Sequence, residues 1–378
     1  MKQEVLRERP FEYLRRLDGM EPFPKEVVRN WYVARAFVLE KLKDISFAPD
    51  ADTHLHAVVD GDSPLMLSVV RAISLSAHYL NYVESYPDEH RPCRNRTVIS
   101  LVTAKDAAAI TEELEKEENL CNLPKYCRLS VFGEVKNEDS FIDIELDIAR
   151  SRPEDADCVV ITEDEVRSFA ASHDPDVLFS VDTRKAVFAN RAYNLGAAVD
   201  NLPHEDVHGA GRYNQALYTF QYKVLQNRES VPFIGPDWEK DQYVVRNGLS
   251  NIHCSDCFES RELAVRRQCP GYESLNDTKK MALWEKNNNA LAHSEHNRWI
   301  VERLIMGYRP FSTLEKTTYQ GLFGKDRADY ASRLKTDRSS PAHLDLCSYR
   351  DLRRIDPDNM KYDSFLVLAI PLILEAIR

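Results

Sequence analysis

Apolar and polar positions change their pattern several times along the chain. From residue 53, short apolar runs alternate with segments of helical periodicity, beginning with HLHAVVDG and SPLMLSVVRAISLSAHYL. Further predicted strands are TVISLVT, CRLSVFG, FIDIELDIA, DCVVITE and DVLFSVD, and AKDAAAITEELEKEENL predicts another helix. Strands that alternate with helices are typical of a mostly parallel sheet. The pattern therefore predicts an α/β fold, with a Rossmann-like doubly wound sheet over residues 51–200.

Helical periodicity dominates on both sides of this region. Residues 1–50 predict N-terminal helices, the second over KEVVRNWYVARAFVLEKLKD. Its apolar side predicts core packing, with a dimer contact as the alternative. Residues 201–285 predict a helical connector, and residues 286–378 a small, mostly α-helical domain. The sequence contains no internal repeat of the length found in solenoid proteins.

Composition narrows the classes of function. The chain has 378 residues, of which 43% are hydrophobic and 29% charged, enough for two or three cores. Its formal charge of −11 argues against binding a nucleic-acid polymer, which requires a basic face. A small anionic ligand needs only a local pocket and is compatible with this charge.

Three features predict a soluble cytoplasmic protein. The segment MKQEVLRERPFEYLRR lacks the apolar stretch of a secretory signal. The run FLVLAIPLIL is about half of the roughly 20 residues that a membrane helix needs, and Pro371 interrupts it. The eight cysteines are scattered apart from Cys254 and Cys257, as expected for reduced thiols. We therefore expect no membrane insertion.

The stretch LPHEDVHGAG matches the H-E-x-x-H motif of zinc proteases through His204, Glu205 and His208. Pro203 places His204 in the first helical turn at best, whereas a zinc site needs both histidines on a well-formed helix. Asn214 occupies the position of a third histidine ligand in the extended motif. We interpret the match as a coincidence.

Other metal-like pairs are also incomplete. HCSDC, residues 253–257, lacks a second C-x-x-C, and Cys269 is a single candidate for a further ligand. HSEH places His293 and His296 at i, i+3 on a predicted helix. Satisfied or exposed histidines are more common in that position than a metal pair, so we predict no metal.

The turn after the first predicted strand is the expected position of a phosphate-binding loop. VVDGDSPLML contains Asp60, Gly61, Asp62 and Ser63 before a helix, and Lys105 follows the second strand. The G-x-G-x-x-G pattern is missing, and the two aspartates repel a pyrophosphate. Ser63 has a structural alternative as a helix N-cap. The turn is therefore a candidate nucleotide site or a scaffold without ligand.

The C-terminal region carries the most specific pattern. Its elements have the form L-A-x-x-x-H-x-x-W and G-W/Y, then H-x-x-L-x-x-Y-x-x-L and K-x-x-D. Here the residues of these elements are Leu291, Ala292, His296, Trp299, Gly307, Tyr308, His343, Leu346, Tyr349, Leu352, Lys361 and Asp363. Lys361 and Asp363 are one residue closer together than the K-x-x-D form requires. This region resembles the ryanodine-receptor (RyR) repeat domain. It departs from the pattern between Phe311 and Ser340, where we expect a longer or altered loop.

The whole chain resembles bacterial proteins that join a TrkA-N-like Rossmann domain to a C-terminal RyR domain. That resemblance implies a non-catalytic sensor of a nucleotide derivative of the NAD or ADP-ribose type, in signalling or defence, with a homodimer mate or an effector protein as partner. The implied ligand-binding residues are Glu295, His296, Trp299, Tyr308, His343 and Tyr349. Aromatic faces stack on a base, and His and Glu side chains form hydrogen bonds, although Trp299 is equally suited to a core position.

Three alternatives stay open at this point. A TrkA-N-like regulator of potassium transport requires a separate channel partner. A zinc hydrolase requires His204, Glu205 and His208 to hold metal. If the protein is a pure interaction module, we expect that no small molecule stabilises it.

We expect the purified protein to contain no stoichiometric zinc, because Pro203 prevents a well-formed helix before His204. Elemental analysis and thermal unfolding with and without a chelator measure this directly. Stoichiometric zinc that disappears in a Glu205→Ala variant together with a hydrolytic activity contradicts the prediction.

Overall fold

A computed structural model describes residues 24–84, 93–138, 140–154, 157–174, 183–197, 216–226, 250–337 and 339–378. The strands are β1 (His56–Asp60), β2 (Thr97–Val102), β3 (Arg128–Val131), β4 (Glu134–Lys136), β5 (Ile144–Ala149), β6 (Val159–Thr162), β7 (Arg309–Pro310) and β8 (Ala342–His343). The α-helices before residue 200 are α1 (Lys25–Leu42), α2 (Pro64–Ser76), α3 (Ala107–Leu114), α4 (Leu123–Tyr126), α5 (Glu163–Ser172) and α6 (Thr183–Ala197). Those after it are α7 (Phe258–Arg267), α8 (Asp277–Lys286), α9 (Asn288–Ile305), α10 (Thr313–Gly321), α11 (Gly324–Lys335), α12 (Tyr349–Ile355) and α13 (Met360–Ile377).

The first six described strands form one sheet in the order β4-β3-β5-β2-β1-β6. Its pairs are parallel except for β3 with β4, which is antiparallel. Strand β1 is paired with β2 on one side and with β6 on the other, and residues 57–59 are fully buried. The chain therefore has a mixed α/β fold with a mostly parallel sheet, as the alternating pattern predicts.

Local sequence explains where several helices begin. Ser63 caps α2, its hydroxyl accepting a hydrogen bond from the Met66 amide at 3.4 Å, with Pro64 as the first helical residue. Thr162 and Glu165 form a reciprocal capping box at the start of α5, and Ser312 and Glu315 do so at α10.

Helix α9 joins two buried apolar clusters. Ile300, Val301 and Leu304 belong to the cluster that contains the sheet and α2. Leu291 and Ala292, near the start of the helix, belong to a second cluster built from α6, α7, α12 and α13. The C-terminal region and the sheet therefore share one helix.

Most described elements agree with the predicted ones. The second N-terminal helix, the strands β1, β2, β3, β5 and β6, and the helices α2 and α9 are confirmed. The predicted helix at residues 3–17 and the strand DVLFSVD lie outside the described residues. Within the predicted helical connector, the described residues 216–226 are helical and include a π-helix at Phe220–Leu225.

Two features differ from expectation. The sequence pattern does not predict β4, which pairs with β3 across a tight turn where Phe132 and Gly133 both have positive φ, at 51° and 88°. The segment between Phe311 and Ser340, expected as a loop, forms α10 and α11. Their polar sequences bury little surface, so a pattern of apolar positions does not reveal them.

Within the described ranges, no helix combines the length and the apolar character needed to cross a membrane. This includes α13, which continues through Pro371 and buries most of its apolar positions against the second cluster.

Truncating Leu304 to alanine should lower the free energy of unfolding by about 2–5 kcal/mol, because its fully buried side chain joins α9 to the sheet. Urea unfolding followed by circular dichroism measures the change. The control is Leu314→Ala in α10, where the side chain is 76% exposed, and its effect should stay within about 0.5 kcal/mol. Equal effects of the two substitutions contradict this packing.

Candidate functional site

A polar cavity of about 270 Å³ lies beside α9, between α6, α13 and the chain around residues 335–345. Most of its walls are charged, amide-bearing or aromatic. Its lining residues include Asn190, Tyr193, Asn194, Glu295, His296, Arg298, Trp299, Arg303, Lys335, His343, Asp345, Asn359, Tyr362 and Asp363. Small-molecule sites generally occupy concave spaces of this kind, with a few convergent polar groups.

Trp299 provides an aromatic face in this cavity. Its ring contacts His343 edge-on, with centroids 4.9 Å apart. The guanidinium carbon of Arg303 lies 5.4 Å from the Trp299 centroid and 5.7 Å from that of Tyr308. Trp299 is only partly buried, whereas Trp284 is the fully buried tryptophan of the second cluster. Trp299 also packs against the sheet cluster, so it combines a core contact with a face on the cavity.

His296 is held between two acceptors. Its Nε2 donates to the carbonyl oxygen of Cys347 at 3.1 Å, and its Nδ1 lies 3.5 Å from a carboxylate oxygen of Asp363. Burial opposes protonation, but the hydrogen bond and charge of Asp363 together with the Cys347 carbonyl raise the pKa of His296 above its ordinary value. The arrangement stabilises a protonated imidazole beside the cavity.

Asp345 has a different environment. Burial raises the pKa of its carboxyl to about 6, and Asn359 donates to it at 2.9 Å. The backbone amide of Asp345 donates to Nδ1 of His343 at 3.3 Å. Burial also lowers the pKa of His343 well below its ordinary value, so its imidazole is neutral. The cavity thus contains hydrogen-bonding groups of both charged and neutral kinds.

Glu295 belongs to a buried ion-pair network more than to the open cavity. Arg298 contacts both carboxylate oxygens of Glu295 at 3.0 Å and reaches Glu302 at 3.0 Å. Arg261 of α7 lies 2.8 Å from Glu295. All four side chains are almost fully buried. Burial opposes ionisation of Glu295, but the arginine charges lower its pKa, so the network remains charged.

The network continues into residues 250–257. Ser250 donates to Glu302 at 2.5 Å, and His253 Nδ1 lies 2.7 Å from the other carboxylate oxygen. Burial opposes ionisation of Glu302, but Arg298 and His253 hold its pKa far below the ordinary range. Charged contacts therefore fix this segment against α9.

The structure brings together most of the residues implied by the RyR resemblance. Glu295, His296, Trp299 and His343 line the cavity. Tyr308 and Tyr349 are buried just behind it, Tyr308 below Arg303 and Tyr349 with its ring 5.4 Å from that of His296. These two tyrosines support the walls.

Sequence reasoning missed several lining residues. Arg303 lies one helical turn after Trp299 on α9, a spacing that could have identified it. Lys335 lies at the end of α11, in the segment expected as a loop. Asp345 and the pair Tyr193 and Tyr362 carry no local signal, because only tertiary packing brings α6 beside α13.

The turn after β1 satisfies its own polar groups. Asp60 pairs with Arg152, and the Asp62 carboxylate accepts a hydrogen bond from Thr103. The Lys105 ammonium lies 3.7 Å from that carboxylate. Gly61 has φ of 124°, which explains why glycine is suited to this turn.

The Ser63 hydroxyl accepts a hydrogen bond from the first turn of α2, as expected if Ser63 is a helix N-cap. The turn lies at the carboxyl end of β1, between β2 and β6, a position that binds ligands in many α/β sheets. Here, however, Asp60, Asp62 and Lys105 are engaged with one another and with neighbours. We therefore place the stronger candidate site beside α9.

The H-E-x-x-H stretch, including His204, Glu205 and His208, lies outside the described residues. In the part of the chain that is described, no group of three or more His, Cys, Asp or Glu side chains is arranged to hold a metal ion. Cys254 and Cys257 are buried, and burial raises the pKa of both thiols.

Comparison of the chain with protein-family models, with curated proteins and with solved structures found no match. The RyR-like and TrkA-N-like resemblances therefore stay predictions. The function of the protein has to be inferred from the geometry and chemistry of the cavity.

Replacing Glu302 with glutamine should destabilise the protein by about 3–5 kcal/mol at pH 7, because Arg298 then loses a buried partner. The folded-state pKa of Glu302 is depressed, so its stabilisation is complete above about pH 4 and is lost as the pH falls below that value. Urea unfolding at pH 7 and pH 3 should show that the gap between wild type and variant narrows in acid.

The matched control is Glu112→Gln on the exposed surface of α3. It should leave stability nearly unchanged at both pH values. A gap for Glu302→Gln that is constant with pH would show that the carboxylate charge is not the stabilising feature.

Proposed function

We propose that the protein is a non-catalytic sensor that binds a nucleotide-type small molecule in the cavity beside α9. The observation that supports this most directly is the combination of side chains in one concave space. Trp299 presents an aromatic face, Arg303 and Lys335 provide cations, and Asp345 and Asp363 provide carboxyl groups.

These groups correspond to the three parts of a nucleotide. An aromatic face stacks on a base, and carboxyl groups accept hydrogen bonds from ribose hydroxyls. Arginine and lysine bind phosphate oxygens. The net charge of −11 on the whole chain does not oppose this, because recognition depends on the local arrangement.

The sheet has a supporting role in this proposal. We interpret it as a Rossmann-like, doubly wound unit of the TrkA-N-like kind whose turn after β1 is a scaffold. Together with the RyR-like C-terminal region it forms a regulator that reports the bound ligand to a homodimer mate or an effector protein. Helix α9 connects the two, because it lines the cavity and packs on the sheet cluster.

The test is a screen of thermal stability followed by calorimetry with NAD, ADP-ribose, mononucleotides and cyclic nucleotides. A ligand at 100 times its Kd should stabilise the protein by about 2.7 kcal/mol. Trp299→Ala should abolish this stabilisation, because it removes an aromatic wall of the cavity and the ring over which Arg303 is held.

Trp31→Ala on α1 is the matched control. Trp31 is also partly buried below an arginine, with the Arg71 guanidinium carbon 4.4 Å from its ring, but it lies outside the cavity. Trp31→Ala should retain nucleotide binding even if it lowers Tm. Stabilisation that survives in Trp299→Ala, or no stabilisation by any nucleotide in the wild type, contradicts the proposal.

A further inference from the structure

Helix α6 completes the cavity from outside the RyR-like region. Tyr193 of α6 and Tyr362 of α13 are stacked, with ring centroids 4.9 Å apart and an angle of 20° between planes. Both line the cavity, and Tyr193 is 41% exposed. An aromatic pair with an accessible face is suited to stack on a further planar ring.

Amide side chains surround this pair. Asn190 and Asn194 lie one turn apart on α6, on either side of Tyr193 in sequence, and both line the cavity. Each amide offers both hydrogen-bond donors and an acceptor, which matches the mixed edge of a nucleobase. Stacking and edge recognition are therefore available on the same wall.

Cationic groups line another part of the cavity. Arg303 is held over Trp299 and Tyr308, and Lys335 reaches the cavity from the end of α11. Both side chains line the same open volume as the tyrosine pair, which places two cations where they can meet a phosphate group.

The size of the cavity limits the ligand. Its volume of about 270 Å³ is near the lower end of the roughly 300–1,000 Å³ typical of small-molecule sites. A single base, ribose and phosphate suit this space better than a dinucleotide such as NAD.

Resting on the proposed function, we infer that the ligand is a nucleoside monophosphate whose base stacks on the Tyr193–Tyr362 wall and whose phosphate contacts Arg303 and Lys335. The α6 helix then provides base recognition, and the α9 and α11 helices provide phosphate recognition. The RyR-like region alone lacks the α6 part of this site.

Calorimetry on the full chain tests the base wall. AMP, GMP, CMP and UMP are compared first, and the tightest binder serves as the probe. Tyr193→Ala should raise its Kd by about tenfold or more, the loss associated with removing an aromatic ring that stacks on a base. Tyr193→Phe, which keeps the ring, should bind as wild type does. Tyr222→Ala, where the side chain is 46% exposed and outside the cavity, is the control and should leave Kd unchanged.

The phosphate end is tested separately. Lys335→Met should weaken the monophosphate while leaving binding of the corresponding nucleoside unchanged, and Lys325→Met on the exposed side of α11 should alter neither. Equal weakening of nucleotide and nucleoside by Lys335→Met overturns the phosphate assignment. NAD or ADP-ribose binding more tightly than every monophosphate overturns the size argument.

The outcomes separate this inference from the proposed function. Nucleotide binding that is lost in Trp299→Ala but unchanged in Tyr193→Ala overturns the base wall and leaves the sensor proposal standing. Absence of binding by all nucleotides overturns both. Retained circular dichroism and Tm in each variant show that a loss reflects the site. If Tyr193→Ala unfolds, Tyr193→Leu provides the same comparison, because it keeps an apolar side chain but removes the aromatic ring.

Discussion

The pairing of Arg298 with Glu295 and Glu302 inside the protein is the constraint on which the rest of the C-terminal structure depends. These three charges lie within two turns of α9, and each is almost fully buried. A buried charge is tolerated only when it is paired and hydrogen-bonded. Arg261 contacts Glu295 and Ser250 donates to Glu302, so the preceding helical segment is held against α9 through the same carboxylates.

The two sides of α9 have different partners. Ile300 and Leu304 pack into the apolar cluster of the sheet, whereas Trp299 and Arg303 line the cavity. Adjacent residues on a helix point about 100° apart, so each cavity residue is next to a core residue. The proposed ligand would therefore contact a helix that also packs on the sheet. It can shift that packing only by as much as its affinity differs between two arrangements.

The two candidate sites also differ in how their polar groups are satisfied. At the turn after β1, Asp62 accepts from Thr103 and lies near Lys105, which leaves acidic groups where a phosphate would bind. In the cavity beside α9, His296 contacts Asp363 and Asn359 donates to Asp345, and these groups surround an open volume of about 270 Å³. Acidic and basic side chains thus close the turn after β1, whereas beside α9 they surround a cavity that we propose as a ligand site.

The periodicity of the sequence predicted the α/β class, strands β1, β2, β3, β5 and β6, and helix α9, but not β4, α10 or α11. The predicted elements result from periodicity and from local capping residues such as Ser63, since both act over a few residues of chain. The sequence also brought forward His296, Trp299 and His343 as site residues through a resemblance. Tertiary packing places Glu295 in a buried network, buries Trp284 more completely than Trp299, and brings Tyr193 and Lys335 to the cavity. The reason is physical: burial, charge pairing and cavity walls arise between segments far apart in the chain, and no local pattern encodes which of them meet.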